Sequence, residues 1–477
     1  MKYFLLSILF LQTVLLSCSS DKQSGYIRIS PSNPHYLEYQ DGTPYIPIGP
    51  NICWERFEKD EEKVLALYEQ RFRILSENGG NYTRIWLSAP FFEVEHEIEN
   101  DYDDRIRYRI DKILEYANKY DIKVKFCFEN FRKLTNQPAP FLTSVPFDKP
   151  IYSIENNGSL TTMEEYFMSE KGKELFINKV NYFSEHYAQN SAVFGWELWN
   201  EINSVSVPNS PTCTFDWTKE MLTKVKSLFP NHLVMQSLGS FDNTRWIDMY
   251  NSYMNIQNNE IAQVHRYLDL GASWDICHSS MDTLASNTIA EIRQMVSDKP
   301  IILSEVGAVE NNHSGPWNLY QTDTLGILLH DMLFAPFFSG AAGPGQSWHW
   351  DYYIEKQNLW WHYQRFSEAI KNINPIKEHF NPFYLWKDDV RLYGLDGTTN
   401  TITWCRDARY SWHTELVEKV APEERSITLP INQFGKASYS DIQLYNPWLN
   451  TWSKLDSEND SVRFHFTRSA ILRIKKN

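Results

Sequence analysis

The sequence predicts an α/β chain: eight parallel strands alternating with helices, closed into a (β/α)8 barrel, with a small all-β sandwich after it. Three observations carry this. Short apolar runs of strand length alternate with stretches of helical spacing from Tyr45 to Ile373. Two of the runs, Val193–Leu198 and Pro300–Ser304, lead into carboxylates at Glu201 and Glu305. Acids at the C-terminal ends of two parallel strands of one barrel point into a single cleft. After Pro375 the texture changes to short β-rich runs separated by turn residues. A length of 477 residues is enough for one large barrel and one small domain.

The first half can be taken in order. Tyr26–Tyr39 alternates loosely, Asp41-Gly42 is a hairpin turn signal, and Thr43–Ile48 follows as a strand. This hairpin closes the barrel bottom and leads into the first strand, Tyr45–Gly49, with Asn51 and Trp54 at its top as candidate substrate contacts. Glu61–Ser76 has helical spacing through Val64, Leu65, Phe72 and Leu75, and stops at Asn78-Gly79-Gly80. The second strand, Asn81–Leu87, carries Arg84. Phe92–Asp104 is acidic and is read as a solvated face, with a calcium site as the alternative. A helix over Ile106–Tyr120 precedes the third strand, Ile122–Phe128, which ends in Glu129-Asn130. Leu134–Leu160 has four prolines and no periodicity; so long a loop in a compact domain is expected to be functional, walling one side of the cleft.

The second half continues the alternation. Thr162–Tyr187 is helical, the fourth strand runs to Asn200 and Glu201, and Phe215–Phe229 is helical. The fifth strand is His232–Leu238, and the sixth, Ile261–His265, runs into His265-Arg266-Tyr267. A helix over Met281–Ser297 leads to the seventh strand with Glu305. Tyr320–Phe334 is helical, Ser347–Asp351 is the eighth strand, and Phe366–Ile373 is the closing helix. The predicted boundaries are residues 26–378 for the barrel with its hairpin and 379–477 for the sandwich. The sandwich is expected to pack beside the barrel. Trp448 and Trp452 raise a carbohydrate-binding module as the sharper alternative.

Two facing carboxylates are the equipment of glycoside hydrolysis: one proton donor, and one nucleophile or base. Trp199-Asn200-Glu201 after one strand and Ser304-Glu305 after a later one resemble the clan A glycoside hydrolases, most nearly family 5, the cellulase and mannanase group. The resemblance implies a retaining enzyme on a TIM barrel, with Glu201 as acid/base and Glu305 as nucleophile. It implies further that Arg84 holds the nucleophile and that Asn200 bonds the sugar 2-hydroxyl. By the same resemblance His265 lines the subsite, the Tyr267 hydroxyl contacts the nucleophile, and Trp348 floors the reacting sugar. Trp350 is the rival for that floor, since strand alternation sends only one of the two inward. Many members carry a histidine near the end of strand three; this chain has Glu129 and Asn130 there, which take its place against sugar hydroxyls. The surroundings of Glu201 are expected to raise its pKa, as an acid requires.

Composition sets the partners. A formal net charge of −14 argues against nucleic acid and favours a neutral polysaccharide or oligosaccharide, β-glucan or β-mannan first. Aromatic residues make up 15% of the chain, which suits stacking on sugar rings. No cofactor or metal is expected, and the chain is read as a monomer. Residues 1–18 read as an export signal ending in Leu15-Leu16-Ser17-Cys18, which resembles a bacterial lipobox. Cys18 is then the lipidated first residue and residues 19–25 a tether. Ser19-Ser20-Asp21-Lys22 resembles the surface-export signals of some bacterial lipoproteins, so the enzyme is expected on an outer membrane through its lipid alone. The remaining five cysteines show no metal spacing, and a Cys213–Cys277 bridge is the one pairing considered. Two rival functions are a surface glycan-binding lipoprotein without turnover and a transglycosylase that passes the sugar to an acceptor hydroxyl.

Overall fold

The computed structural model describes residues 25–134, 150–431 and 439–477. Cys18, most of the 19–25 tether and residues 135–149 of the proline-containing loop lie outside them. Three short strands open the chain: β1 (Ile27–Ile29), β2 (Leu37–Tyr39) and β3 (Pro44–Tyr45), paired antiparallel in that order. The β2–β3 turn uses Gly42 at φ 87°, a left-handed conformation that glycine adopts without strain. Tyr39 and Tyr45 pack with Phe194, Leu233, Ile261 and Ile302, at or just before the starts of barrel strands. The hairpin therefore plugs the barrel bottom.

The barrel follows. Strands β4 (Tyr82–Trp86), β5 (Lys123–Glu129), β6 (Val193–Trp199) and β7 (Leu233–Met235) form one parallel sheet, and β8 (Ala262–Leu268) pairs parallel with β9 (Ile301–Ala308). The first and eighth positions are irregular. Asn51 bridges to Arg84, and Ser347 to Val306. Pro47 and Pro50 remove donors that a regular first strand would need. Single backbone bonds close the ring there, Asn51 N to Ser347 O at 3.0 Å and Ile52 N to Arg84 O at 3.1 Å. The expected eighth strand at Ser347–Asp351 is displaced: the chain pairs with β9 at Ala342, Gln346 and Trp348, then enters a π-helical turn, Trp350–Glu355.

The helices α1 (Glu61–Glu77), α2 (Asp104–Tyr120), α3 (Met163–Met168), α4 (Glu170–Tyr187), α5 (Cys213–Leu228), α6 (Ile247–Met254), α7 (Met281–Met295), α8 (Ile327–Phe338), α9 (Trp361–Ala369) and α10 (Pro375–Glu378) surround the strands. Several differ from the sequence reading. Ser169 ends α3 and caps α4, splitting one expected helix into two. α6 was not anticipated, and α8 begins seven residues after Tyr320, where Gly326 at φ 70° sets its start. α9 starts before the expected Phe366. The acidic Phe92–Asp104 loop is not simply a solvated face. Glu93 and Glu95 are buried; Glu93 bonds Lys179 Nζ at 2.8 Å and Glu95 accepts from the Tyr152 hydroxyl. Cys213 and Cys277 are unbridged.

Beyond α10 the chain is antiparallel. The strands β10 (Asn381–Lys387), β11 (Val390–Asp396), β12 (Asn400–Asp407), β13 (Arg425–Pro430), β14 (Tyr439–Asn446), β15 (Thr451–Lys454), β16 (Ser457–Glu458), β17 (Ser461–Phe466) and β18 (Ser469–Lys476) make two sheets, ordered β10-β11-β12-β18-β14-β15 and β13-β17-β16. Leu392, Leu472, Phe464 and Leu429 fill the space between them. The larger sheet is bound to the barrel helices by buried ion pairs, Arg406 to Asp331 on α8 at 2.9 Å and Arg391 to Asp282 on α7. Trp448 and Trp452 face the barrel as well: their indole nitrogens donate to Ser469 and to Glu368 of α9, and Trp448 packs on His330. Neither is left free to serve as a glycan platform.

Candidate active site

The site grows from the C-terminal ends of β4, β6, β8 and β9. Burial forbids an isolated charge there, so the charged side chains come as a connected set. Arg84 on β4 is fully buried. Its Nε and Nη2 donate to the two carboxylate oxygens of Glu197 on β6 at 2.8 and 2.9 Å, a bidentate pair, and Nη2 also donates to Asn200 Oδ1 at 2.9 Å. Its Nη1 donates to Glu305 Oε1. Tyr267 on β8 donates its hydroxyl to the other oxygen, Glu305 Oε2, at 2.6 Å. Glu305 is thus aimed from both sides.

Glu197 was not singled out from the sequence. It lies mid-strand in an apolar run, and nothing local marks it. Burial alone would raise its carboxyl, but Arg84 and Lys125, the latter 3.3 Å away, outweigh that and hold it at about 2. Glu197 is therefore the fixed anion that lets a buried arginine reach Glu305.

Glu201 follows β6 with φ 52° and ψ 55°. His265 Nδ1 lies 2.9 Å from Glu201 Oε1 and 3.4 Å from Glu305 Oε2. Arg132, in the loop after β5, reaches Glu201 Oε2 at 3.3 Å. The expectation of a raised Glu201 pKa is corrected: burial pushes it up, but His265, Arg132 and His313 together bring it below the ordinary carboxylate range. One donor atom each from Glu201, His265 and Glu305 lies within 4.8 Å of the others. A divalent cation would fit that spacing, as would the reacting bond of a sugar.

The remaining residues divide by burial. Trp348 is partly buried and packs edge-on or tilted against Trp54 and Trp86 at 5.3 Å each. Trp350 is 1% exposed and sits against Trp54 at 5.1 Å. The strand-alternation argument between the two fails because Trp350 belongs to the π-helical turn; Trp348 is the less buried of the two, with Trp54 and Trp350 packed against it. Asn51, read as a sugar contact, is fully buried, and its amide ties the carbonyls of Ser304, Gln346 and Ser347 at 3.1 to 3.3 Å. It closes the barrel beside Glu305. Glu129 is likewise spent on Lys179 Nζ at 2.8 Å, and burial raises its carboxyl. Asn130 accepts from Ser88 Oγ at 2.7 Å, while its amide nitrogen has no hydrogen-bond partner among the described residues.

The division between Trp348 and Trp350 is testable. Trp348→Ala should lower kcat/KM roughly 30-fold, about 2 kcal/mol of ring contact, with little change in melting temperature. Trp350→Ala should instead cost about 3–5 kcal/mol of stability, since it empties a packed site. Steady-state kinetics and thermal melts on both variants separate the two roles.

Comparison with known proteins gives the family. Residues 63–328 match the model of the Cellulase family, glycosyl hydrolase family 5. Mannan endo-1,4-beta-mannosidase 7 of Arabidopsis thaliana is 24% identical over 284 residues, 56% of this chain and 65% of its own length. Mannan endo-1,4-beta-mannosidase 3 of Solanum lycopersicum is 21% identical over 342 residues, 66% of this chain and 81% of its own. A solved glycoside hydrolase family 5 structure from Bacteroides vulgatus superposes with a TM-score of 0.61 at 10% identity, covering 95% of this chain and 94% of that one, a likeness of fold. With a TIM barrel and a family match that spans the strands carrying Arg84, Glu201 and Glu305, the chain belongs to glycosyl hydrolase family 5 and is a glycoside hydrolase.

Proposed function

We propose that the enzyme cleaves a neutral β-linked polysaccharide with retention of configuration, with β-mannan as first candidate and β-glucan as second. One observation carries the mechanism: carboxylate oxygens of Glu201 and Glu305 lie within 4.8 Å of each other. Retaining enzymes hold their carboxyls about 5–5.5 Å apart, whereas inverting ones leave about 6.5–9.5 Å for a water. Glu305, aimed by Arg84 and Tyr267, attacks the anomeric carbon while Glu201 protonates the leaving oxygen. The neighbours of Glu201 favour its carboxylate in the free enzyme, so in this proposal the proton it gives is taken up as substrate displaces water from the site. In the second half-reaction Glu201 is already the base that takes a proton from water. The names of the two plant relatives support mannan. Export and anchoring through Cys18 are proposed from the sequence alone.

The test is a polymer screen with protein lacking residues 1–18. Reducing ends should appear on β-mannan or β-glucan, and proton NMR should find the β-anomer first. An α-anomer formed first would mean inversion. Products lengthened by an added acceptor sugar would instead favour the transglycosylase.

A further inference from the structure

Glu201 stands in a backbone conformation that few non-glycine residues adopt, at φ 52° and ψ 55°. That region is sterically costly for an L-residue, and it persists only where the surroundings over-determine it. The groups that do so can be named. Ser237 Oγ accepts from the Glu201 amide at 3.2 Å. Arg132 does more. Its Nη1 donates to the carbonyl of Asn200 and, at 3.2 Å, to that of Glu201, while Nη2 donates to the Glu201 carboxylate at 3.3 Å. One guanidinium thus grips both carbonyls of the turn and the side chain that the turn presents. The other carboxylate oxygen is taken by His265, so both oxygens are fixed and the plane of the carboxylate with them.

We propose that Arg132 is a positioning residue for the acid/base, acting through Glu201: it holds the left-handed turn and aims the carboxylate at the glycosidic oxygen. This rests on Glu201 being the acid/base. Arg132 is 4% exposed, so its charge is not screened by bulk water. A lysine would supply charge but not the planar fork that spans three acceptors. The charge has its own consequence, because Glu201 also faces His265 and Tyr267 from β8, Glu305 from β9, His313 from the loop after β9, and Tyr250 from α6. Within that set Arg132 is one of the cations keeping Glu201 low. Removing it raises the carboxyl, so the alkaline limb of the pH profile, where the acid loses its proton, moves to higher pH.

The experiment uses aryl β-glycosides of the disaccharide that the polymer screen selects, with leaving phenols from acidic (2,4-dinitrophenol) to weakly acidic. A departing dinitrophenolate needs no proton; a poor leaving group does. Arg132→Met should lose about 10²-fold in kcat/KM on the poor leaving groups and less than about threefold on the dinitrophenyl substrate. Its alkaline limb should rise by about one pH unit. Arg132→Lys should keep the wild-type limb and recover part of the rate. Retained turnover of the dinitrophenyl substrate shows that the variant is folded. Equal loss across all leaving groups with an unmoved limb would overturn the proposal in favour of a purely structural arginine. Glu201→Ala is the control: if it too lacks leaving-group dependence, the acid/base assignment itself falls, whereas dependence there and none in Arg132→Met would sink the arginine alone.

Discussion

Glu305→Gln should lower kcat by about 10⁴-fold or more on any polymer the wild type hydrolyses, the scale seen when a covalent nucleophile is deleted. Glutamine keeps the size of the side chain and an oxygen for Arg84, with its amide NH2 donating to the Tyr267 hydroxyl, where Glu305 accepts from both, but it cannot form the glycosyl ester. Substrate binding should therefore survive, and KM should change far less than kcat. A 2-fluoro glycoside that slows hydrolysis of the intermediate should label wild-type protein on the peptide carrying Glu305, and the variant not at all. Labelling elsewhere, or a variant with more than about a hundredth of wild-type turnover, would remove Glu305 from the nucleophile's role.

Glu197→Gln should destabilise the protein by about 3–5 kcal/mol, the cost of breaking a buried ion pair from one side. Arg84 and Lys125 would remain inside the barrel with their common anion gone. The effect carries a pH signature. The Glu197 carboxyl is depressed from 4.5 to about 2, so its contribution is fully present above about pH 4.5 and is lost as pH falls through about 2. The gap between wild type and variant in denaturant melts should be constant at neutral pH and narrow below pH 4.5. A gap that stays constant down to pH 2 would mean that the loss comes from packing and not from charge. Catalysis should suffer as well, since a freed Arg84 is no longer held at the angle that reaches Glu305.

What could be read in advance depended on range. Glu201 and Glu305 each follow a recognisable strand, and Arg84, His265 and Tyr267 sit on strands with their own apolar periodicity, so their convergence follows from the barrel. Glu197, Arg132 and the Lys179 that neutralises Glu129 and Glu93 do not announce themselves. Their meaning lies in partners 50 to 113 residues away, such as Arg84 for Glu197 and Glu129 for Lys179. The buried tie of Asn51 and the packing of Trp350 were not legible for local reasons: Asn51 follows two prolines that break the first strand, and a π-helical turn takes Trp350 out of the two-residue alternation that was to choose between it and Trp348. The same limit applies to the acidic Phe92–Asp104 loop, where a count of charges cannot tell a solvated glutamate from one that pairs with a lysine on a distant helix.

The buried Arg391–Asp282 and Arg406–Asp331 pairs bear on how such a gene can change. Each leaves one partner on the barrel and the other on the antiparallel sheet. A lineage that shed the C-terminal segment would expose two aspartates on helices shaped to meet arginines, beside an aromatic surface around His330, Phe334 and Phe366 with its cover removed. Recombination at the α10 junction would thus have to restore acids, bases and rings together. Barrel and sheet share buried charges and a buried aromatic seam, so removing either strips partners from the other.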